Sequence, residues 1–234
     1  MNFGGIVVNN YVLVTKYGLI VIDTGYQEGF SSFSRKLAKN GFSFSDIAYI
    51  FITHVHDDHV GFLKYLLENT EATVILHSEA IERLKKGHHL FIGGCSNRLA
   101  LLFCKFMMIL GKGKHIFPPV NLSSNTILAN EDSNFFHSIG IPADILVLPG
   151  HTNDSIGLLL EEDKLFCGDA TMNNFPSIAR NIIWIENLDD YQQSWDKMIN
   201  SKARFIYPGH GKPFPIQDLV RFRHSMDGKQ LYPL

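Results

Sequence analysis

Cysteine is scarce in this chain of 234 residues: Cys95, Cys104 and Cys167 stand at irregular spacings with no C-x-x-C pair, which excludes a disulfide-stapled framework and fits a reducing compartment. All three read as small core residues. An excess of positive charge is also missing. Lysine plus arginine number 21 against 23 aspartate plus glutamate, a formal net charge of −2, so no bulk field draws the protein onto nucleic acid or acidic lipid, and nucleic acid is not an expected partner. No apolar run reaches the roughly 20 residues of a membrane span. The opening MNFGGIVVNNYVLVTKYG has no basic region leading into an apolar stretch and no small-residue cleavage site, so the cytoplasm is the expected address. What the chain does hold, 45% hydrophobic and 12% aromatic residues, suffices for one sizeable core, and a single domain over residues 1–234 is expected.

Histidine is over-supplied, with 11 copies, about twice ordinary usage, and imidazole is the commonest metal-ligating side chain. Short strands are expected over Gly5–Val8, Tyr11–Thr15 and Leu19–Asp23, and a helix over Glu28–Lys39 that stops at Asn40-Gly41. A buried strand over Ala48–Thr53, a helix over His59–Glu68, a strand over Thr73–His77 and a helix over Ser78–Lys86 continue the alternation that layers helices on a sheet. The second half repeats this layout, with strands at Ile145–Leu148, Ser155–Leu160, Lys164–Cys167 and Phe205–Tyr207, a turn at Glu161-Glu162-Asp163, and helices over Asp189–Ile199 and Ile216–Arg223. The fold class is α/β. Between the halves, residues 87–134 shift in composition around the apolar run Leu99–Leu110, expected to be helical. This insert reads as a buried helix, as a lid over a pocket, as the contact of a homodimer or as a shallow membrane insertion.

The chemistry concentrates in Thr53-His54-Val55-His56-Asp57-Asp58-His59, an H-x-H-x-D-H run emerging from a buried strand. Side chains at i and i+2 of an extended segment point the same way, so His54 and His56 converge on one ion. Asp58 and His59 follow the turn into a helix and address a second point. Two imidazoles leave a zinc ion under-ligated, and three further strand ends each offer one ligand: His151 in Pro149-Gly150-His151-Thr152, Asp169 in Gly168-Asp169-Ala170 and His210 in Pro208-Gly209-His210-Gly211. His77, His88, His89, His115, His137 and His224 belong to no motif and read as structural or solvent-exposed. Asp57 reads as a solvated or capping neighbour, Cys167 as packing, and Arg180 as a loop arginine within reach of substrate.

In this order, Val21-Ile22-Asp23-Thr24-Gly25, H-x-H-x-D-H, Gly150-His151-Thr152, Gly168-Asp169 and Gly209-His210-Gly211, the sequence resembles the metallo-β-lactamase superfamily of metal-dependent hydrolases over about residues 10–212. The resemblance implies an αβ/βα four-layer sandwich with the site at one rim. It implies that His54, His56 and His151 hold a first metal, that Asp58, His59 and His210 hold a second, and that Asp169 bridges the two. Asp23 would fix the ligand loop without binding metal, and Thr53 and Thr152 would orient ligands or their loops. The implied cofactors are two divalent ions, zinc first, with manganese or iron as alternatives.

Two divalent ions, two aspartates and a bridging hydroxide leave about one positive charge at such a centre, which suits an anionic or carbonyl-bearing substrate. The expected activity is hydrolysis of a small ester, lactone, thioester or phosphodiester by a metal-bound hydroxide, with Asp58 as the catalytic residue that orients the nucleophile or passes a proton to the leaving group. The apolar insert favours a substrate with a greasy part. Aspartate at position 169, where β-lactamases of the commonest branch carry cysteine, speaks against antibiotic hydrolysis. Two other readings are a mononuclear iron persulfide dioxygenase and a non-catalytic metal-containing binding protein.

Overall fold

A computed structural model describes residues 2–3, 6–89, 92–111, 115–130, 133–161 and 163–234. Gly5, expected to open the first strand, and Glu162, expected in a turn, lie outside the described residues. Strands β1 (Asn2–Phe3) and β2 (Ile6–Val7) form a two-residue ribbon. The first sheet begins with the hairpin β3 (Tyr11–Thr15) and β4 (Gly18–Ile22), then adds β5 (Ile47–Phe51) and β6 (Thr73–His77) in parallel. The chain leaves it to make β7 (Gly94–Cys95) and returns as β8 (Thr126–Ala129) beside β6, so the order is β3-β4-β5-β6-β8. The second sheet takes β9 (Ala143–Val147), β10 (Ile156–Leu160) and β11 (Lys164–Gly168). It passes over β12 (Trp184–Ile185), which pairs with β7, and closes with β13 (Phe205–Pro208) and β14 (Phe214–Pro215) in the order β14-β13-β11-β10-β9.

Period-two alternation makes the layers. On β4, Ile20 and Ile22 face Ile145, Ile156, Leu158 and Phe166 of the second sheet, whereas Leu19 and Val21 pack under Phe33 and Leu37 of α1 (Phe30–Lys39). The same outer layer holds α2 (Asp57–Val60), α3 (Leu63–Leu67) and α4 (Ala80–Lys86). Helix α5 (Arg98–Ile109) lies against the β7–β12 ribbon and α6 (Phe135–Ser138) sends Phe136 between the sheets. Helices α7 (Leu188–Asn200) and α8 (Gln217–Phe222) cover the second sheet with Tyr191, Trp195, Met198 and Leu219. Strands buried on both faces read as continuous apolar runs, which is why β4 and β5 stand out in the sequence. Phe51 is fully buried between the sheets, and its truncation to alanine costs about 3–5 kcal/mol.

The expected helix His59–Glu68 is two short helices. Gly61 runs so close to the preceding segment that a Cβ there would sit 2.7 Å from the Gly25 carbonyl oxygen, and the chain bends at this point. Among the described residues of the apolar stretch 87–134, helix is confined to Arg98–Ile109, capped by the Asn97 side chain accepting from Ala100 N, and Thr126–Ala129 is an edge strand. Ala100 is buried, while Leu102, Phe106 and Ile109 are 66%, 56% and 82% exposed. Among the described residues no helix is long and apolar enough to cross a membrane. Strands β4, β5, β9, β11 and β13 deliver their carboxyl ends to one rim, where ligands of α/β sheets usually lie.

Candidate metal centre

The H-x-H-x-D-H loop is pinned before any ligand is considered. Asp23 sits at φ 56°, a left-handed conformation that is costly for a residue with a side chain. In that conformation its carboxylate accepts from Thr53 N (2.8 Å), Thr53 Oγ1 (2.7 Å) and His59 Nδ1 (2.8 Å), tying both ends of the loop. Thr24 donates from its backbone N to the His59 carbonyl at 2.7 Å. Gly209 is required where the β13 loop crosses the site, because a Cβ there would collide with the Asp169 carboxylate.

All seven predicted side chains meet at this rim, and all are buried. His54 Nε2, His56 Nδ1 and His151 Nε2 form a triangle with edges of 3.1, 3.2 and 3.0 Å, close to the roughly 3.3 Å between two nitrogens of a tetrahedral zinc site. The proton count explains why this triangle suits a cation. His151 Nδ1 donates to the Trp184 carbonyl at 2.7 Å, which leaves Nε2 of the neutral ring bare. Thr53 Oγ1 gives its proton to Asp23, so His54 Nδ1 donates to Thr53 Oγ1 at 3.1 Å and its Nε2 is bare too. Two lone pairs thus face each other across 3.2 Å. Burial holds the three imidazoles neutral, pushing His54 and His56 well below the ordinary histidine range and His151 below it.

Beside this triangle lies a second cluster with the opposite electrostatics. Asp58 Oδ2 and Asp169 Oδ2 are each 3.2 Å from His210 Nε2, and Asp169 Oδ1 is 3.5 Å from His59 Nε2. His59 Nε2 and Asp169 Oδ1 are buried without a hydrogen-bond partner. Burial opposes charge here as well, but Asp169, Asp58 and Asp23 outweigh it and raise His59 well above its ordinary range, and Asp169 with Asp58 lifts His210 to about 10. Conversely Asp58 is held at about 2 against burial, chiefly by His59 and His210, and Asp169 is lowered well below the usual carboxylate range by His210 and His59. Asp169 also reaches toward the first triangle, with Oδ2 at 3.7 Å from His151 Nε2. The donor set, bare imidazole nitrogens and buried carboxylates with unmet hydrogen-bonding capacity, fits divalent cations.

Other residues sort differently. Asp57 pairs with His115, Thr152 is turned toward Ser155 at 2.7 Å, and Arg180 is held by Asp218 (2.6 Å) and Asn173 away from the cluster. Cys95 and Cys167 are buried free thiols, while Cys104 is half-buried at the cavity beside the cluster, not in the core. His89 and His115, read as structural or exposed, instead stand next to His56, with ring centroids 4.3 and 5.4 Å away. His89 Nε2 lies 2.9 Å from Glu186. Glu186 accepts from Arg83 Nη2 at 3.0 Å, Arg83 Nη1 donates to Asp154 at 2.7 Å, and Asp154 accepts from Val55 N at 2.9 Å between the two motif histidines. This chain of contacts joins the two loops of the first triangle, and its members carry no spacing signal because they come from four separate elements.

A family model described as the metallo-beta-lactamase superfamily matches residues 3–210. The chain is 28% identical over 217 residues to the beta-lactamase-like protein 2 homolog of Caenorhabditis elegans, covering 91% of this chain and 57% of that one. It is 26% identical over 208 residues to thioesterase pkgB of Emericella nidulans, covering 87% and 45%. The chain therefore spans little more than half the length, or less, of these curated relatives. The crystal structure of TTHA1623 in a di-iron-bound form superposes with a TM-score of 0.65 at 20% identity, over 94% of this chain and 96% of that one.

Proposed function

The chain belongs to the metallo-β-lactamase superfamily, and from that premise we propose that it is a dinuclear metal-dependent hydrolase of a small ester, lactone, thioester or phosphodiester. The superfamily is generally hydrolytic and typically binds divalent metals, and the relative named as a thioesterase supports the same reaction class. One observation carries the reading: seven buried side chains from four strand ends converge with bare nitrogens and unpartnered carboxylate oxygen.

In this proposal His54, His56 and His151 hold one ion, Asp58, His59 and His210 hold the other, and Asp169, the carboxylate in contact with both groups, is shared. Zinc fits best, with manganese and iron compatible with the same donors. When bound, two such ions supply an activated water and polarise the scissile C=O or P=O group. Asp58 lines the cavity and stays ionised at neutral pH, and its carboxylate would orient the attacking water and pass the proton that water gives up to the leaving group. Tyr26, raised by Asp58 and by burial, keeps its phenol proton at the cavity wall.

Metal analysis and a hydrolase panel on one preparation test the reading. About two equivalents of divalent metal are expected, with turnover of at least one ester, thioester or phosphodiester probe that chelation abolishes and metal restores. One equivalent of iron with oxygen uptake, or an absence of turnover across the panel, overturns it.

A further inference from the structure

The cavity beside the seven side chains, about 120 Å³, has two unlike walls. One is polar, with His56, Asp58, His151, Asp169 and His210. The other is apolar: Phe103 and Met107 from α5 face Met172, Ile182, Ile183 and Trp184. Among the described residues lining it there is neither lysine nor arginine. His115, which also borders it, has its charge met by Asp57.

The apolar wall offers surface and few hydrogen bonds. The Trp184 indole N–H is engaged by the Ile92 carbonyl at 2.9 Å, Ile182 N by Tyr191 Oη at 2.9 Å and Met172 N by the Arg180 carbonyl at 3.0 Å. A substrate group set against this wall loses water and gains no polar partner. Each unpaired polar group there weakens binding about five- to 150-fold, whereas each methylene strengthens it about fourfold. The sugar and phosphate flanks of a phosphodiester belong to the first kind, a hydrocarbon or aromatic acyl chain to the second. Three methionines in the wall, Met107, Met108 and Met172, give it the adaptability to accept either straight or ring-bearing chains.

We propose that the substrate is an ester or thioester with an uncharged, apolar acyl group lying along Phe103, Met107 and Trp184, its scissile bond set at the polar wall where the seven proposed ligands meet. The inference rests on the hydrolase reading and narrows it from four substrate classes to acyl compounds with a greasy acyl side.

A series of p-nitrophenyl esters from acetyl to octanoyl, run beside bis-p-nitrophenyl phosphate, measures this on the metal-loaded protein. Expected is a rise in kcat/KM of about fourfold per methylene over the lengths that the wall covers, and a preference for octanoyl over the phosphodiester of at least about a hundredfold. Phe103→Ser and Met107→Ser, both at half-buried positions, should flatten the chain-length slope, and Leu102→Ser on the exposed face of α5 should leave the slope as it is. Octanamide binding, followed by calorimetry on the purified protein, reads the wall without turnover and should weaken about tenfold in Phe103→Ser. A flat slope, or preference for the phosphodiester, overturns the acyl assignment and leaves the hydrolase standing. If no probe is turned over, the hydrolase reading falls, and the octanamide result alone decides whether the wall binds acyl chains.

Discussion

The two ligand groups at the rim both hold imidazoles at the same depth, yet burial decides the charge of one and carboxylates decide the charge of the other. Around His54, His56 and His151 desolvation prevails and the rings stay neutral, with lone pairs converging. Around His59 and His210 the carboxylates of Asp23, Asp58 and Asp169 prevail, and the rings hold protons. The second cluster therefore demands positive charge at all times, as protons or as metal, while the first accepts a cation without giving up a proton. Asp169 is the contact between them, so the sharpest way to break the contrast is to remove its charge.

Asp169→Asn preserves volume and deletes the shared carboxylate. Metal content should fall from about two equivalents to about one, and kcat/KM should drop by about a thousandfold or more. Unchanged metal content, measured by elemental analysis, would show that the clusters do not share this ligand.

Acidity separates the clusters next. In the metal-free protein His210 is raised from an unfolded value of about 6.5 to about 10. Its contribution to stability is thus fully present below pH 6.5 and lost as pH rises through 10. Asp58, lowered to about 2, contributes above its unfolded value of about 4 and is lost as pH falls toward 2. His54, His56 and His151, held neutral by burial, cost stability as pH falls below about 6.5, so metal-free protein should be most stable near pH 6.5, and its Tm should fall by roughly 5 °C or more from pH 7 to 10. Metal takes the place of those protons, so the gap in Tm between loaded and metal-free protein should widen as pH rises. A constant gap in thermal scans would contradict the assignment.

The sequence showed the first-order plan of this rim and little of what supports it. The strand Thr73–His77 was legible as a short apolar run, Tyr11–Thr15 as β-branched and aromatic residues between the Asn9-Asn10 and Tyr17-Gly18 turns, and the seven side chains because their spacing is local or follows a glycine at a strand end. The edge strand Thr126–Ala129 was not, since an edge needs no strict alternation and its pattern sank into the surrounding apolar stretch. His89, Arg83, Asp154 and Glu186 were hidden for a different reason. Their roles exist only when loops far apart in the chain are folded together, and no period or motif encodes that.

That hidden chain gives a test of why the first triangle is so regular. It carries no ligand atom, yet Asp154 grips Val55 N while the Glu186 backbone N donates to the Gly150 carbonyl at 2.8 Å beside His151. Asp154→Asn should weaken the tighter metal by about ten- to a hundredfold in a chelator competition while leaving the second equivalent less affected. Arg83→Lys should recover part of what Arg83→Met loses, because a single ammonium replaces one of two ion pairs. Equal weakening of both equivalents would mean that the network serves general stability.

The smallest expected effect comes from the neighbour of a proposed ligand. Asp57 and Asp58 are adjacent in sequence, and helix α2 turns them in different directions, Asp58 to His210 and Asp57 to His115 at the cavity edge. The Asp57 and His115 side chains remain 20% and 26% exposed, so the pair is worth no more than about 1 kcal/mol. Asp57→Asn should therefore change kcat/KM by less than about fivefold, and His115, raised by Asp57 against burial, should titrate at lower pH. Asp58→Asn should cost at least a hundredfold, because it removes charge from the cluster itself. Equal losses from the two substitutions, in parallel pH-rate profiles, would show that proximity to the motif counts for more than which cluster a carboxylate faces.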